Sequence, residues 1–263
     1  LTRSSAASDV YKRQTLNLAS LLIYRFYNIY MKVGAIIFSR MSSARLPGKA
    51  VIDISGKTLI ERVIERAIRI KNIDHLCIAT SKNKEDDIIE SIARSHKIDS
   101  YRGSLNNVTQ RAVSAARYFK YNSFLRLCGD RPFFDCEIYD ELILRHKESK
   151  PDITTNIYPR SVPPGLTGEV INVKSLEKCL IGTKSKQDRE HVTRYFYKNS
   201  DKFIIKNITF FESNDLCDLR LVVDDDIDLN RAIWIAEKLS DDNSHFDTKK
   251  IIQLAKKWNE LNL

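Results

Sequence analysis

The segment VGAIIFSRMSSARLPGK, residues 33–49, joins six apolar or small residues to a loop rich in positive charge. The run 33–38 is predicted to form a buried β-strand, because short apolar runs bounded by turn residues are typical of parallel sheets. The loop carries Arg40, Arg45 and Lys49 together with hydroxyl groups and a glycine. Cations and backbone donors suit the phosphates of a nucleotide, but the same composition also fits a solvated turn.

Short apolar runs alternate with amphipathic segments from residue 32 onward. This alternation is typical of βαβ units and predicts an α/β protein with a mostly parallel central sheet. Thr58 and Asp135 are predicted to be the N-caps of two of the helices. In the first half, strands are predicted at 33–38, 75–80 and 123–128, a short strand or turn at 99–104, and helices at 59–70, 85–95, 108–120 and 136–147.

The second half of the chain changes character, because its apolar runs are separated by shorter helical segments. We expect a small antiparallel addition to the parallel sheet there. The run LRLVV, residues 219–223, is predicted to return as a buried strand. Further strands are predicted at 152–158, 168–173 and 203–211, and helices at 174–180, 187–197, 226–239 and 248–261. No long linker interrupts residues 31–263, which we expect to form a single domain.

Composition narrows the class of protein. The 263 residues are 43% hydrophobic, which is enough to bury a full core. The net charge of +9 is spread along the helices without a nucleic-acid-binding motif, so no nucleic-acid partner is expected. The five cysteines form no C-x-x-C pair, which favours reduced thiols in a cytoplasmic protein over a zinc site.

Residues 1–30 do not share the pattern of the rest of the chain. The segment LTRSSAASDVYKRQ, residues 1–14, has no periodicity and resembles translated adapter sequence. Residues 15–30 are apolar, but they are too short and too interrupted by Arg25 to span a membrane. We therefore expect residues 1–30 to be an artefactual or disordered leader outside the domain, Met31 to be the natural start, and no membrane partner.

Charged residues follow three of the predicted strands, at Arg40, Asp130 and Asp224. Ligands of open α/β sheets lie beyond the carboxyl ends of the strands, where the loop 40–49, Asp130 and Asp224 are expected. Two carboxylates opposite a basic loop suit a magnesium nucleotide. Each carboxylate alone could instead cap or stabilise the start of the following helix. The loop is not a Walker A motif, because the glycines of that motif are missing.

Six segments in chain order resemble the successive motifs of the cytidylyltransferases that activate acidic sugars. The resemblance is greatest to the branch of spore-coat polysaccharide protein F, which is related to the synthetases of CMP-Kdo and CMP-sialic acid. The segments are RMSSARLPGKAVIDISGKTLIERVIER (40–66), ATSKNKEDD (79–87), YRGSLNNVTQRAVSAA (101–116), LRLCGDRPFFD (125–135), REHVTRYF (189–196) and LRLVVDDDIDL (219–229).

This resemblance implies a Rossmann-like nucleotidyltransferase fold of the GT-A type. It also implies transfer of CMP from CTP to a sugar hydroxyl, with pyrophosphate leaving and Mg²⁺ as cofactor. Positioning and electrostatics then supply most of the catalysis, with leading roles for Arg40, Lys49 and Asp130. CTP and a sugar acceptor are the implied partners, and relatives of this kind often form homodimers.

The resemblance also assigns roles to individual residues. Triphosphate binding is assigned to Arg40, Ser43, Arg45 and Lys49, and Mg²⁺ binding to Asp130 and Asp224. The nucleoside pocket is assigned to Thr80, Ser81, Arg102 and Gly103, and the acceptor side to Glu169, Glu190 and His191. A helix histidine such as His191 can equally be a packing residue.

Two departures from the family pattern concern the loop and the acceptor. Ser39 and Ser42 stand where the family usually has alanine and glycine. Because serine is also small, the loop is expected to keep its shape. The segment PGLT, residues 164–167, stands where the branch often has an acidic D-G-L-D segment, although Glu169 remains. The sequence therefore leaves the identity of the acceptor sugar open.

Two other functions fit parts of the pattern. A glycosyltransferase of the same fold type would use a D-x-D pair, and Asp224 and Asp226 have that spacing. A catalytically silent nucleotide-binding protein would keep the basic loop without turnover. The cytidylyltransferase is preferred, because the basic loop suits a free triphosphate better than a diphosphate-sugar.

Overall fold

In the computed structural model of the protein, the apolar run Val33–Phe38 forms β1, an inner strand of a seven-stranded sheet. All but the last residue of β1 are buried, as the apolar run predicts. The structure describes residues 31–182, 185–211, 216, 219–241 and 245–262. The predicted leader 1–30 lies outside the described residues.

The sheet is mostly parallel, with one strand reversed. Its strand order is β3-β2-β1-β4-β6-β5-β7, and only β6 runs antiparallel to its neighbours, β4 and β5. This confirms the predicted α/β class and the antiparallel addition in the second half. The remaining strands are β2 (His75–Ser81), β3 (Asp99–Gly103), β4 (Ser123–Cys128), β5 (Ile153–Thr155), β6 (Glu169–Asn172) and β7 (Ile205–Asn207).

Helices cover both faces of the sheet. The predicted cap Thr58 forms a capping box with Glu61, and the predicted cap Asp135 accepts hydrogen bonds from the N–H groups of Glu137 and Ile138. The helices are α1 (Leu59–Ala67), α2 (Asp87–Ser95), α3 (Val108–Tyr118), α4 (Cys136–Ser149), α5 (Val173–Gly182), α6 (Lys186–Glu190), α7 (Arg194–Lys198), α8 (Asp226–Asp241) and α9 (Thr248–Leu261).

Alternate residues of the inner strands feed two hydrophobic clusters. Ala35 and Ile37 of β1 join the cluster formed with α1, α2, α4, α8 and α9. Ile36 belongs to the other cluster, with α3 and α5. Because successive side chains of a strand point to opposite faces, the two clusters lie on the two sides of one sheet. The parallel strands are therefore buried on both faces, which explains their nearly continuous apolar sequence.

Two predicted elements are wrong. The segment 187–197 is not one helix but the short helices α6 and α7, because the backbone at His191 is extended. The run 219–223 is buried at alternate positions but is not a strand of the sheet. Its N–H groups at Leu221 and Val223 donate to the carbonyls of Pro164 and Asp130, at 2.8 and 2.9 Å. These partners lie in loops, so no ladder can form.

No helix among the described residues combines the length and the apolar character that crossing a membrane would require.

Burial of His146 makes stability depend on pH. The His146 side chain in α4 is fully buried between the hydroxyls of Thr154 and Ser123, at 3.0 and 2.9 Å. Burial lowers the pKa of His146 from 6.5 to about 4. The unfolded chain therefore takes up this proton first as the pH falls. The stabilisation from neutral His146 is complete above pH 6.5 and is lost as the pH falls towards 4.

We expect His146→Gln to remove this contribution. Between pH 7 and pH 4, the free energy of unfolding should fall by about 3 kcal/mol more in the parent protein than in the variant, since one pKa unit corresponds to about 1.4 kcal/mol. Urea unfolding at a series of pH values measures both curves. Parallel curves would show that the His146 pKa is not depressed by folding.

Candidate active site

The loop after β1 is held to the end of β2 by one buried carboxylate. Asp86 is 1% exposed and accepts hydrogen bonds from the N–H of Met41 at 2.7 Å and of Ser81 at 3.0 Å. Burial opposes its charge, but these hydrogen bonds lower the pKa of Asp86 below its usual range. The Gly48 N–H donates to the Met41 carbonyl at 2.9 Å, and Gly48 takes a left-handed φ of 73°. The loop thus turns back on itself just before Lys49.

Lys49 joins the two predicted strand-end carboxylates. Its Nζ lies 3.1 Å from Asp130 Oδ2, 3.0 Å from Asp224 Oδ1 and 2.8 Å from the Val223 carbonyl. Burial opposes the charge on Lys49, but the two carboxylates outweigh it and raise the pKa of its ammonium group. Lys49 is therefore charged and fixed at neutral pH.

A cleft of about 350 Å³ opens beside Lys49 at the carboxyl ends of β1 and β4. Two further ion pairs cross it, between Arg45 Nη2 and Asp224 Oδ2 at 3.1 Å and between Arg40 Nη2 and Glu190 Oε1 at 2.7 Å. The structure thus brings together most of the predicted site residues. Those lining the cleft are Arg40, Ser43, Arg45, Lys49, Asp130, Glu190, His191 and Asp224.

The donor set suits a metal ion that arrives with a nucleotide. Among the residues that the structure describes, no group of three or more acidic, histidine or cysteine side chains could enclose a metal. Asp130 and Asp224, however, converge on one point at the ammonium of Lys49. Mg²⁺ is usually bound through one or two carboxylates, with phosphate oxygens and water completing its shell. Two convergent carboxylates beside a basic loop fit that requirement.

The residues predicted to form the nucleoside pocket do not line the cleft. Thr80 and Ser81 are fully buried at the end of β2. The Arg102 guanidinium pairs with Asp87 and Glu90 of α2, so it is held away from the cleft. Gly103 packs against the Arg111 side chain. The contact of these four residues with the nucleoside stays a prediction that this geometry does not support.

A second cavity of about 600 Å³ adjoins the cleft and shares Arg126 and His191 with it. Glu169 lines this cavity and is 3% exposed. Arg126 Nη1 and the Tyr197 hydroxyl each donate to its carboxylate at 2.7 Å. Burial opposes the charge on Glu169, but these donors lower its pKa. Further basic side chains line the cavity, namely Arg131, Arg160, Arg194 and Lys198.

Sequence reasoning missed two arginines of the cleft, Arg111 and Arg126. Both occupy positions that the hydrophobic pattern assigns to the core. Arg126 interrupts the apolar strand β4, and Arg111 falls at helical spacing with Val108 and Ala115 on the buried face of α3. An arginine at a core position is the signal that could have identified them, since buried charges are rare without a specific partner.

The profile described as cytidylyltransferase matches residues 34–256, a range that includes all but the first residue of β1, the basic loop, Asp130 and Asp224. The chain belongs to the cytidylyltransferase family. The range also includes the segment 219–224, which this cytidylyltransferase uses to place Asp224 beside Lys49.

The names of two relatives concern a spore coat polysaccharide and a sugar acid. The Bacillus subtilis spore coat polysaccharide biosynthesis protein SpsF is 36% identical over 165 residues, which cover 61% of this chain and 68% of SpsF. A 3-deoxy-manno-octulosonate cytidylyltransferase of Trichlorobacter lovleyi is 30% identical over 113 residues, covering 43% of this chain and 44% of the relative. The resemblance to acidic-sugar cytidylyltransferases is thereby confirmed.

A solved structure confirms the nucleotidyltransferase fold. The cytidylyltransferase from Leptospira borgpetersenii serovar Hardjo-bovis superimposes with a TM-score of 0.80 at 28% identity. The match covers 87% of this chain and 95% of the Leptospira protein. The two proteins therefore share one fold over most of this chain.

We expect Arg126→Met to destabilise the protein by about 3–5 kcal/mol, because it leaves the buried Glu169 carboxylate without its cation. The double variant Arg126→Met/Glu169→Met should recover most of that loss, since it removes both charges and keeps apolar volume. Urea unfolding measures the free energies. A double variant as unstable as the single one would show that lost packing, and not the unpaired carboxylate, causes the effect.

Proposed function

We propose that this cytidylyltransferase transfers CMP from CTP to a hydroxyl of an acidic 2-keto sugar, with Mg²⁺ as cofactor and release of pyrophosphate, for surface polysaccharide synthesis. The observation that carries the proposal is the convergence on Lys49 of two carboxylates, Asp130 and Asp224, at the end of a basic loop. This charge arrangement is complementary to a metal-bound triphosphate.

The basic loop would hold the triphosphate. Arg40, Arg45 and Lys49 line one cleft, and each of them now pairs with a carboxylate of the protein. Phosphate oxygens can replace those carboxylates as anionic acceptors, so binding exchanges ion pairs and leaves no cation unpaired. The Ser43 hydroxyl lines the same cleft and can donate to a phosphate oxygen.

Asp130 and Asp224 would hold the metal. When bound there, Mg²⁺ neutralises charge that develops on the phosphates and aligns the attacking and leaving oxygens. Lys49 would then turn its ammonium from the carboxylates to the leaving pyrophosphate. Because Lys49 is partly buried and lines the cleft, its charge is already beside the site when the nucleotide binds, and only its ion-pair partners change.

The second cavity would receive the acceptor. It adjoins the nucleotide cleft and carries an excess of basic side chains, of which Arg131 and Arg160 have no carboxylate ion pair among the residues the structure describes. That excess is complementary to the carboxylate of a sugar acid. Glu169 can accept from sugar hydroxyls, and His191 lies where the two cavities meet. The acceptor roles of Glu169, Glu190 and His191 are part of this proposal.

The geometry does not favour a glycosyltransferase. Asp226 is an exposed residue in the first turn of α8 and does not line the cleft with Asp224, so the two do not form a metal-binding D-x-D pair. A catalytically silent nucleotide-binding protein would bind CTP without turnover, and an assay of pyrophosphate release distinguishes it from an enzyme. A cytoplasmic location and a homodimer stay predictions, which cell fractionation and sedimentation equilibrium test.

We expect Asp130→Asn and Asp224→Asn each to lower turnover at least a hundredfold, because loss of a metal ligand removes several kcal/mol of charge stabilisation. The assay is pyrophosphate release from CTP and Mg²⁺ with a panel of 2-keto sugar acids. Asp226→Asn is the matched control in the same acidic run and should retain activity. Parent-like rates in both variants, or no release with any sugar acid, would contradict the proposal.

We expect Lys49→Met to separate metal binding from catalysis. The Lys49 ammonium competes with a divalent ion for the oxygens of Asp130 and Asp224, so its removal should leave Mn²⁺ affinity unchanged or higher. Turnover should fall about a hundredfold or more, because the cation facing the leaving group is lost. Electron paramagnetic resonance of Mn²⁺ measures the affinity. Weaker Mn²⁺ binding in Lys49→Met would show that the carboxylates do not form the metal site.

A further inference from the structure

Arg111 is a buried charge with too few partners. It lies in the second turn of α3, lines the cleft and is 2% exposed. Its Nη1 donates to the Ser104 carbonyl at 2.7 Å, while its buried Nε has no hydrogen-bond partner among the residues that the structure describes. A guanidinium has five N–H donors, and a buried one normally has them paired.

The other cleft cations differ from Arg111 in having carboxylate partners. Glu190 pairs with Arg40, Asp224 with Arg45 and Lys49, and Glu169 with Arg126. Within the described part of the chain, Arg111 has no such ion pair. The charged residues that act electrostatically on Arg111 are Arg40, which repels it, and Asp86, which attracts it. The oxygens of Asp86 already accept hydrogen bonds from the backbone N–H groups of Met41 and Ser81.

Burying a charge in this way is costly unless something else compensates it. Burial, together with the charge of Arg40, lowers the pKa of Arg111 to about 10. An arginine stays charged at neutral pH even so. The cleft therefore keeps an uncompensated positive charge on its wall in the protein alone.

The surrounding chain is shaped to hold this side chain. A Cβ atom at Gly103 would lie 2.8 Å from Arg111 Cγ and 3.2 Å from its Cβ, so only glycine at the end of β3 leaves room for the arginine stem. The Ser104 carbonyl, one residue further on, binds one end of the guanidinium. Gly103, which the sequence assigned to the nucleoside pocket, thus positions Arg111.

We propose that Arg111 is a phosphate-binding residue, which together with Arg40 brackets one phosphate group of the nucleotide. The inference rests on the proposed function, since it places a nucleotide in this cleft. A phosphate supplies both the missing negative charge and acceptors for a planar fork of N–H donors. A neutral carbonyl of the base would accept a hydrogen bond but leave the buried charge uncompensated.

The test compares Arg111→Met and Arg111→Lys with the parent protein. Arg145→Met is the control, because Arg145 is 47% exposed in α4 and its ion pairs among the described residues are with Glu141 and Glu148 of the same helix. Calorimetry measures the affinities for CTP and inorganic tripolyphosphate in Mg²⁺, and an NMR titration measures the weaker binding of cytidine. Thermal unfolding is followed with and without CTP.

Arg111→Met should weaken binding of CTP and tripolyphosphate at least about tenfold, as expected for loss of a charged hydrogen bond, and leave cytidine binding unchanged. Without nucleotide its melting temperature should be unchanged or higher, since an uncompensated charge is removed, while the stabilisation by CTP should shrink. Arg111→Lys should fall between the two. Gly103→Ala should weaken CTP binding by displacing Arg111.

Three results would overturn the inference. Equal losses for cytidine and CTP would place Arg111 at the base, and parent-like CTP affinity in Arg111→Met would remove it from the site. A lower melting temperature of Arg111→Met without nucleotide, together with a CTP affinity of Arg111→Lys equal to that of the parent protein, would show that Arg111 has a structural role. If the parent protein bound tripolyphosphate but not CTP, the proposed function would be wrong. The role of Arg111 in phosphate binding would then be tested by the tripolyphosphate affinities alone.

Discussion

The contact of the Lys49 ammonium with Asp130, Asp224 and the Val223 carbonyl joins three parts of the chain that are far apart in sequence. Lys49 ends the loop after β1, Asp130 follows β4, and Asp224 ends an extended segment near the carboxyl terminus. The carboxylates would repel one another if the ammonium were absent. Lys49 is thus both a member of the site and the counterion shared by its two carboxylates.

Other cations of the cleft are paired with carboxylates in the same way. Arg40 and Arg45 also have protein carboxylates as partners, so the protein maintains a nearly balanced set of charges around a site built for a polyanion. Such a site is preorganised, because its dipoles and charges are in place before the substrate arrives. Asp86 holds the loop in place, because it accepts hydrogen bonds from one backbone N–H of the loop and one of β2.

Much of the fold and part of the candidate site could be predicted from the sequence, because the signals lie close in sequence to the elements that they define. The apolar run of β1 and the caps Thr58 and Asp135 are signals within a few residues of the elements they define. The convergence of Lys49 with Asp130 followed from the rule that parallel strands end at the same edge. That rule needs only the order of strands and helices.

The errors arise where distant partners decide the structure. The buried run 219–223 has the composition of a strand, but its hydrogen-bond acceptors are loop carbonyls at Pro164 and Asp130. The position of Arg102 is likewise decided by tertiary partners, since two acids of α2 pair with its guanidinium, and its contact with the nucleoside stays a prediction. Arg111 is hidden in an amphipathic helix. No local pattern reports such tertiary partners.

The separation of 174 residues between Lys49 and Val223 has a consequence for how the protein acquires its activity. Contacts this distant in sequence carry a large loop-closure entropy and tend to form late in folding. During synthesis, β1 to β4 and the basic loop emerge well before Asp224 exists. A nascent chain can therefore build most of the sheet before the proposed site is complete, and the site is completed only when the segment that carries Asp224, in the last fifth of the chain, docks.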